Sequence, residues 1–282
     1  MAATGALEPP SASPGVLGLT RPGLFAATIV LLLANATAAR AIEAVGLSGG
    51  LGALIRGLGM SWAFWLAFAV SVRLALREAP TPARSRDLAV CAACALAALV
   101  PLSPLAALAC TGLAAAILLD PTQGRFLKAA AWIVLAASVQ LVWTRILMLV
   151  FVQPIANIDA HLVSFIIDRP VRGNGVLFVD RTHTLSVQGG CTSVQNASTG
   201  LMLYVAVLRG FRPVPRPSEA LVLVGVFFSI VALNIVRLAL MAQNIAMFHF
   251  VHDGAGAELF NAIITLTGLT WAVASARHEI FD

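Results

Sequence analysis

Three side chains in the last third of the sequence are of types that together perform covalent catalysis. Cys191 lies in QGGCTSVQNASTG, Arg237 in LNIVRLALMAQN, and His252 in FHFVHDGAG. A thiolate attacks a carbonyl carbon, an imidazole transfers protons, and a guanidinium stabilises the resulting oxyanion. Taken singly, each also has a structural explanation: a small residue at a helix start, an arginine that snorkels or binds a backbone carbonyl, and a histidine at the membrane interface.

Four further polar residues are candidates for supporting roles. Asn234 precedes the arginine by three residues and therefore shares its helical face. Arg145, in VWTRILML, is a second arginine inside an apolar segment, where charge is rare and costly. It is a candidate to assist the first arginine or to bind a lipid headgroup. His249 is the alternative proton carrier, and Asp253 directly follows the candidate histidine.

The remaining cysteines and histidines are expected to be structural or solvated. They are Cys91, Cys94, Cys110, His161, His183 and His278. The C-x-x-C pair among them is surrounded by Ala and Leu and has no second pair, which favours helix packing over zinc or redox chemistry. No Asp or Glu follows the late histidines at the ligand spacing of H-E-x-x-H. We therefore expect no metal and no cofactor.

The composition that must position these residues is that of a membrane protein. Of 282 residues, 59% are hydrophobic and 11% charged, and the mean hydropathy is +0.90; soluble domains carry about 25% charged residues. The basic residues lie in short loops between apolar segments, so nucleic-acid binding is not indicated. We expect one all-α, polytopic integral membrane domain over residues 1–282, with residues 1–21 as a flexible cytoplasmic tail that lacks the basic start of a signal peptide.

Eight apolar segments predict membrane-spanning helices. They are residues 22–39, 57–76, 87–101, 104–119, 128–152, 192–209, 219–243 and 257–275. The third and fourth are short and predict a helical hairpin, with one broken helix as the less favoured alternative. With the N-terminus inside, eleven basic residues fall on the inner side and five on the outer side. This bias predicts that both termini are cytoplasmic.

Residues 153–190 are then an extracytoplasmic insertion before the cysteine. Ile155, Ile158, Leu162 and Phe165 recur at helical spacing, which predicts an amphipathic helix on the membrane surface. Two short apolar or alternating runs, 176–179 and 184–187, predict a β-hairpin outside the hydrocarbon. This layout places the candidate cysteine, arginine and histidine together at the outer face. Nearby positive charge and the start of the sixth span predict a lowered pKa for the thiol.

At these positions the sequence resembles the exosortase/archaeosortase family. GGCTS carries the cysteine, NIVR carries the Asn-x-x-Arg pair, and FVHDGAG carries the histidine, in matching order and spacing over about residues 128–275. The family cysteine is usually followed by Ser-Gly, whereas Thr192-Ser193 follows here, which leaves the subfamily and its substrate open.

The resemblance implies a membrane-embedded cysteine protease or transpeptidase of a prokaryotic cytoplasmic membrane. Cys191, Arg237 and His252 would be nucleophile, oxyanion stabiliser and proton carrier. The implied substrates are exported proteins with a C-terminal hydrophobic sorting tail of the PEP-CTERM type, cleaved through a thioester. Water, or an acceptor such as a membrane lipid or a surface glycan precursor, would resolve it.

Two other classes of function are compatible with the residues. A transporter for small solutes or lipid precursors would use the intramembrane arginines to bind an anion, although no internal repeat supports this class. A structural membrane partner would need no chemistry at all.

Overall fold

The computed structural model describes residues 19–281 and is mostly helical, at 78%. The helices are α1 (Arg21–Ile55), α2 (Trp62–Arg77), α3 (Ser85–Leu99), α4 (Ser103–Leu119), α5 (Arg125–Ser138), α6 (Thr144–Ile167), α7 (Ser193–Phe211), α8 (Glu219–Met241), α9 (Ile245–His252), α10 (Ala255–Ser275) and α11 (Arg277–Phe281). A π-helical segment, Val139–Trp143, joins α5 to α6.

Helices occupy all eight predicted apolar segments. Within residues 19–281, four helical stretches are long and apolar enough to cross a membrane. These four are α1, the continuous α5–α6 stretch, α8 and α10. The helices α2, α3 and α4 have 16, 15 and 17 residues, fewer than the roughly 20 residues that a bilayer core requires. The membrane character of the protein is thus supported by length and composition.

The predicted flexible tail lies mostly outside the described residues, and its last residues are ordered. Thr20 caps α1 and forms a β-bridge with Pro82. Arg21 is buried, and its Nε donates a 2.7 Å hydrogen bond to Asp87 at the start of α3. An ion pair between Arg21 and Asp87 thus anchors the start of α1 to the bundle.

The insertion between the fifth and sixth segments contains a helix and a small sheet. The predicted helix through Ile155 and Phe165 is the second part of α6, which runs on to Ile167 after a kink at Phe151, where φ is −118° ahead of Pro154. The predicted hairpin is a three-stranded antiparallel sheet: β1 (Val171–Arg172), β2 (Gly175–Leu177) and β3 (Thr184–Ser186). The additional strand turns back through Gly173, whose φ of +59° suits glycine.

The sheet, α6, α8 and α9 enclose a second apolar core, separate from the main core of the first helices. It includes Ala160 and Val163 of α6, Val176 of β2, Leu238 of α8 and Val251 of α9. Backbone bonds tie the sheet to the end of α8, since the N–H of Val179 donates to the carbonyl of Ala242 at 2.8 Å. This core holds the turn that carries Cys191 against α8.

Buried ion pairs join helix ends at the opposite end of the bundle. Arg209, at the end of α7, pairs with Glu219 at the start of α8, and both side chains are about 7% exposed. Arg212 extends this network to Glu279 at 3.1 Å. Removing one partner of such a pair is costly because it leaves a buried charge uncompensated, so these pairs fix the ends of α7, α8 and α11 together.

Candidate functional site

Cys191 ends a short 3₁₀ turn, Gly189–Cys191, that leads from the sheet into α7. Its N–H donates to the carbonyl of Gln188 at 2.8 Å. The Thr192 hydroxyl donates to the carbonyl of Gly189, also at 2.8 Å. The cysteine is partly exposed, whereas Thr192 is fully buried. The turn therefore places the thiol just before α7, and hydrogen bonds within the turn hold its backbone.

Asp159 anchors the start of the cysteine helix. The Ser193 N–H donates to one carboxylate oxygen at 2.8 Å, and the Ser193 hydroxyl donates to the other at 2.9 Å. The carboxylate is 3% exposed. A helix leaves its first N–H groups without intrahelical partners, and a negative charge there is stabilising. Asp159 thus satisfies α7 from a different helix and fixes the position of the residues that follow Cys191.

Asn234 connects α8 to the cysteine turn. Its Nδ2 donates to the carbonyl of Cys191 at 2.9 Å and to the Ser193 hydroxyl at 3.2 Å, and its Oδ1 accepts a 2.7 Å bond from Asn196. Asn234 is fully buried. The predicted supporting residue therefore contacts the candidate nucleophile directly through the backbone.

Arg237 lies one helical turn beyond Asn234 and faces the same region. Its Nη2 donates to the carbonyl of Val251 at 3.3 Å, immediately before His252. Its Nε is buried and has no hydrogen-bond partner within residues 19–281. Arg237 is also the charge that acts most strongly on the Cys191 thiol. The guanidinium thus bonds to α9, acts on the thiol through its charge, and keeps one N–H donor without an acceptor in the described chain.

His252 is oriented by a carboxylate and an aromatic ring. Its Nδ1 lies 2.5 Å from an oxygen of Asp253. Its ring stacks on Phe248, with centroids 5.0 Å apart and an angle of 11° between the planes. His249 reaches the other oxygen of Asp253 only at 3.6 Å, and its side chain is 66% exposed against 36% for His252. Of the two histidines, His252 is the better fixed.

The pKa of the Cys191 thiol is raised, contrary to the sequence-based expectation. Burial raises it most; the charge of Arg237 and the hydrogen bond with Gln188 lower it, and the charge of Asp253 raises it again. The positive charge of Arg237 lowers the pKa as expected, but the desolvation of a thiol that packs against the second apolar core raises it more. The pKa of Asp253 is lowered, chiefly by its bond with His252. At neutral pH the site therefore holds a neutral thiol and an ionised aspartate.

Arg145 does not join this group. It is exposed at the start of α6 and makes no hydrogen bond or ion pair in the described chain. It lines a cavity with Arg40 and Gly190, and Arg237 is not among the described residues that line that cavity. Gly189 also lines that cavity, whereas Cys191 is not among the described residues that line it.

Cys91, Cys94 and Cys110 are buried in the main core, and His161 and His183 are exposed. Within residues 19–281, no group of three or more His, Cys, Asp or Glu side chains is arranged to hold a metal ion. The described chain thus contains one cysteine that is both partly exposed and close to basic and acidic side chains.

Sequence reasoning missed Asp159, Asn196 and Phe248. One signal was available for the first of these: Asp159 is the only acidic residue in the 24-residue stretch of α6, and a lone carboxylate in an apolar helix requires a partner. Its partner, Ser193, lies 34 residues away, so the pairing depends on the path of the insertion.

No family model, no curated protein and no solved structure matches the chain.

Proposed function

We propose that the protein is a membrane-embedded cysteine peptidase or transpeptidase that cleaves the C-terminal tails of exported proteins. Cys191 is the nucleophile, Arg237 the oxyanion stabiliser and His252 the proton carrier. Asn234 and Asp253 position them, and His249 is a secondary partner of Asp253. The proposal rests on the residues and their geometry together with the resemblance of the sequence to exosortases and archaeosortases.

The observation that carries this proposal is the buried, unpartnered Nε of Arg237. Leaving a buried donor without an acceptor costs about 1–3 kcal/mol, and more for a charged group. Such a group in a native structure calls for an explanation. Arg169, Arg209 and Arg212 also have a buried Nε without a hydrogen-bond partner in the described chain. Arg237 differs from them because its charge acts most strongly on the Cys191 thiol. When the sulfur attacks a substrate carbonyl carbon, the oxyanion of the tetrahedral intermediate would supply the missing acceptor.

The raised pKa of the thiol sets the first step of the mechanism. The Cys191 proton passes to the free ring nitrogen of His252 as the sulfur attacks the scissile carbonyl carbon. Asp253 holds the other ring nitrogen and stabilises the imidazolium. The carbonyl oxygen gains the negative charge and is met by Arg237. The C–N bond then breaks, the leaving amine takes the proton from His252, and a thioester remains on Cys191.

The second half-reaction releases the acyl group. Water or an incoming amine gives a proton to His252 and attacks the thioester carbonyl carbon, after which the C–S bond breaks and the sulfur recovers the proton. Water yields a free carboxylate, so the protein acts as a protease. An amine on a membrane lipid or surface glycan precursor yields an amide, so the protein acts as a transpeptidase.

The proposed topology has eight spans with both termini in the cytoplasm and the site on the extracytoplasmic side of a prokaryotic cytoplasmic membrane. Its support is the distribution of charge between the two ends of the bundle. Arg21 at the start of α1 and Arg209 at the end of α7 belong to the ionic networks at one end, and Cys191 lies just before α7 at the other. Residues 153–190 then lie outside the membrane. A sorting tail with a basic end would insert in the same orientation, with its cleavage motif level with Cys191.

Substitution of the cysteine in cells tests the proposal. Cys191→Ala and Cys191→Ser should abolish processing, so that exported proteins keep their hydrophobic C-terminal tails. Cys94→Ala is the matched control, because Cys94 is buried in the main core, away from the site. Mass spectrometry of C-terminal peptides from the membrane fraction measures the tails. Normal processing in Cys191→Ala would refute the catalytic role. Solute uptake that depends on the protein and survives Cys191→Ser would support the transporter instead.

A further inference from the structure

A cleft lined by Gly189 and Gly190 has no role in the proposed peptidase chemistry. It lies between α1, α4, the π-helical segment and α6, and has a volume of about 610 Å³, within the range of small-molecule sites. Most of its lining is apolar, including Ala107, Leu141 and Leu149. A cavity of this kind favours hydrocarbon.

Two arginines line the same cleft, and neither has an acidic partner in the described chain. Arg145 makes no hydrogen bond or ion pair within residues 19–281, and Arg40 donates only to the thioether sulfur of Met60, at 3.1 Å. A thioether is a weak acceptor. Among the described residues that line the cleft, none is acidic. Two cations beside an apolar surface, without compensating anions, complement a ligand that has an anionic head and an apolar tail.

The cleft also offers neutral hydrogen-bonding groups close to the arginines. Gln195 lines it, and its side-chain amide has no hydrogen bond in the described chain. A side chain added at Gly190 would meet no atom within 4 Å, so the backbone there is open to the cleft. Guanidinium groups bind phosphate oxygens in a bidentate manner, and amide donors add to such binding.

We propose that this cleft binds one phosphate-bearing lipid, with the phosphate on Arg40 and Arg145 and the chain along the apolar wall. The cleft borders the Gly189–Gly190 turn, so the lipid head would lie directly behind the cysteine turn. Binding does not require the thiol, and the inference therefore stands or falls independently of the peptidase proposal.

Lipid binding to the purified full-length protein tests the inference. The probes are dioleoyl phosphatidylglycerol, dioleoylglycerol with the same chains but no phosphate, and inorganic phosphate alone. Native mass spectrometry of the detergent-solubilised protein gives the dissociation constant for each. The variants are Arg40→Gln, Arg145→Gln and Arg145→Lys. Arg172→Gln is the matched control, because Arg172 is an exposed arginine in β1, outside the cleft.

The wild-type protein should bind one phosphatidylglycerol more tightly than dioleoylglycerol. Arg40→Gln and Arg145→Gln should each weaken phosphatidylglycerol binding about tenfold, which is the loss of a charge-assisted hydrogen bond. Arg145→Lys should weaken it less, since it keeps the charge. Equal binding by Arg145→Gln, Arg172→Gln and the wild type would overturn the proposal. Inorganic phosphate that binds alone as tightly as the lipid would overturn the lipid assignment in favour of a soluble phosphate.

A measurement on the unaltered protein avoids any effect of substitution on folding. Phosphatidylglycerol with a photoreactive group in its acyl chain is irradiated with the wild-type protein in membranes, and the labelled peptides are sequenced. The label should concentrate on residues 141–152. Leu221 of α8 is 78% exposed and serves as the reference for contact with bulk lipid. An even distribution of the label that includes Leu221 would overturn the proposal.

Discussion

Asp159 provides a sharp prediction because its function is to hold α7 in place. In Asp159→Ala, the buried N–H of Ser193 loses its acceptor, and the Ser193 hydroxyl loses a charged one. An unsatisfied buried donor costs about 1–3 kcal/mol, and with the lost bond to the hydroxyl the total is about 2–4 kcal/mol. For a chain of this size the midpoint of thermal unfolding should fall by about 5–10 °C.

The conservative substitution Asp159→Asn separates the charge from the hydrogen bonds. The amide oxygen still accepts from the Ser193 N–H, and its NH₂ group donates to the hydroxyl, so the loss is mainly that of a negative charge at a helix N-terminus, about 1 kcal/mol. We expect a fall of about 2–4 °C. Glu43→Ala is the control, because Glu43 is exposed and makes no hydrogen bond in the described chain.

Two readouts on detergent-solubilised protein complete the test. Thermal unfolding gives the midpoint, and alkylation by iodoacetamide gives the accessibility of Cys191. Loosening the start of α7 should speed alkylation of Cys191 in Asp159→Ala. If Asp159→Ala matched Glu43→Ala in both measurements, the anchoring role of Asp159 would be wrong.

The remaining predictions concern the thiol and the helix crossings. Burial raises the pKa of Cys191 while Arg237 lowers it, so the rate of alkylation of Cys191 should rise only at pH values above the ordinary thiol range. Arg237→Gln should shift that rise to still higher pH. A shift to lower pH would contradict the effect assigned to Arg237. Gly268→Ala should lower the unfolding midpoint, since its Cβ would lie 3.0 Å from the carbonyl oxygen of Gly200. Gly112 in α4 has open space for a side chain, so Gly112→Ala should raise the free energy of unfolding by about 0.5–1 kcal/mol and the midpoint slightly. Equal midpoints for the two variants would show that the contact between α7 and α10 at Gly268 is not tight.

The sequence was sufficient to predict the helical segments and to indicate Cys191, Arg237 and His252 as candidate residues, and the physical reason is local in both cases. Apolar runs specify membrane-type helices without knowledge of the fold. Cys191, Arg237 and His252 are recognisable because a thiol, a guanidinium and an imidazole are unusual at the ends of such runs. The alternating direction of successive helices predicts that all three lie at one end of the bundle.

The features that could not be predicted depend on contacts between distant elements. Asp159 reaches Ser193 only because α6 continues past Pro154 and returns through a three-stranded sheet. The pKa of the thiol depends on how far the second apolar core buries Cys191, which composition does not reveal. The turn at Gly173 is an exception, because a Gly-Asn pair between short apolar runs is a local signal for a hairpin turn.

The most direct test of the central claim is to capture the acyl-enzyme on Cys191. The purified protein is incubated with a peptide that carries a C-terminal hydrophobic tail, quenched in acid and examined by intact mass and peptide mapping. We predict an adduct whose mass equals that of the N-terminal part of the peptide and which is attached at Cys191. Hydroxylamine should release this adduct, and Cys191→Ala should not form it. Cleavage of the peptide by Cys191→Ala, or an adduct located on any other residue, would contradict this prediction.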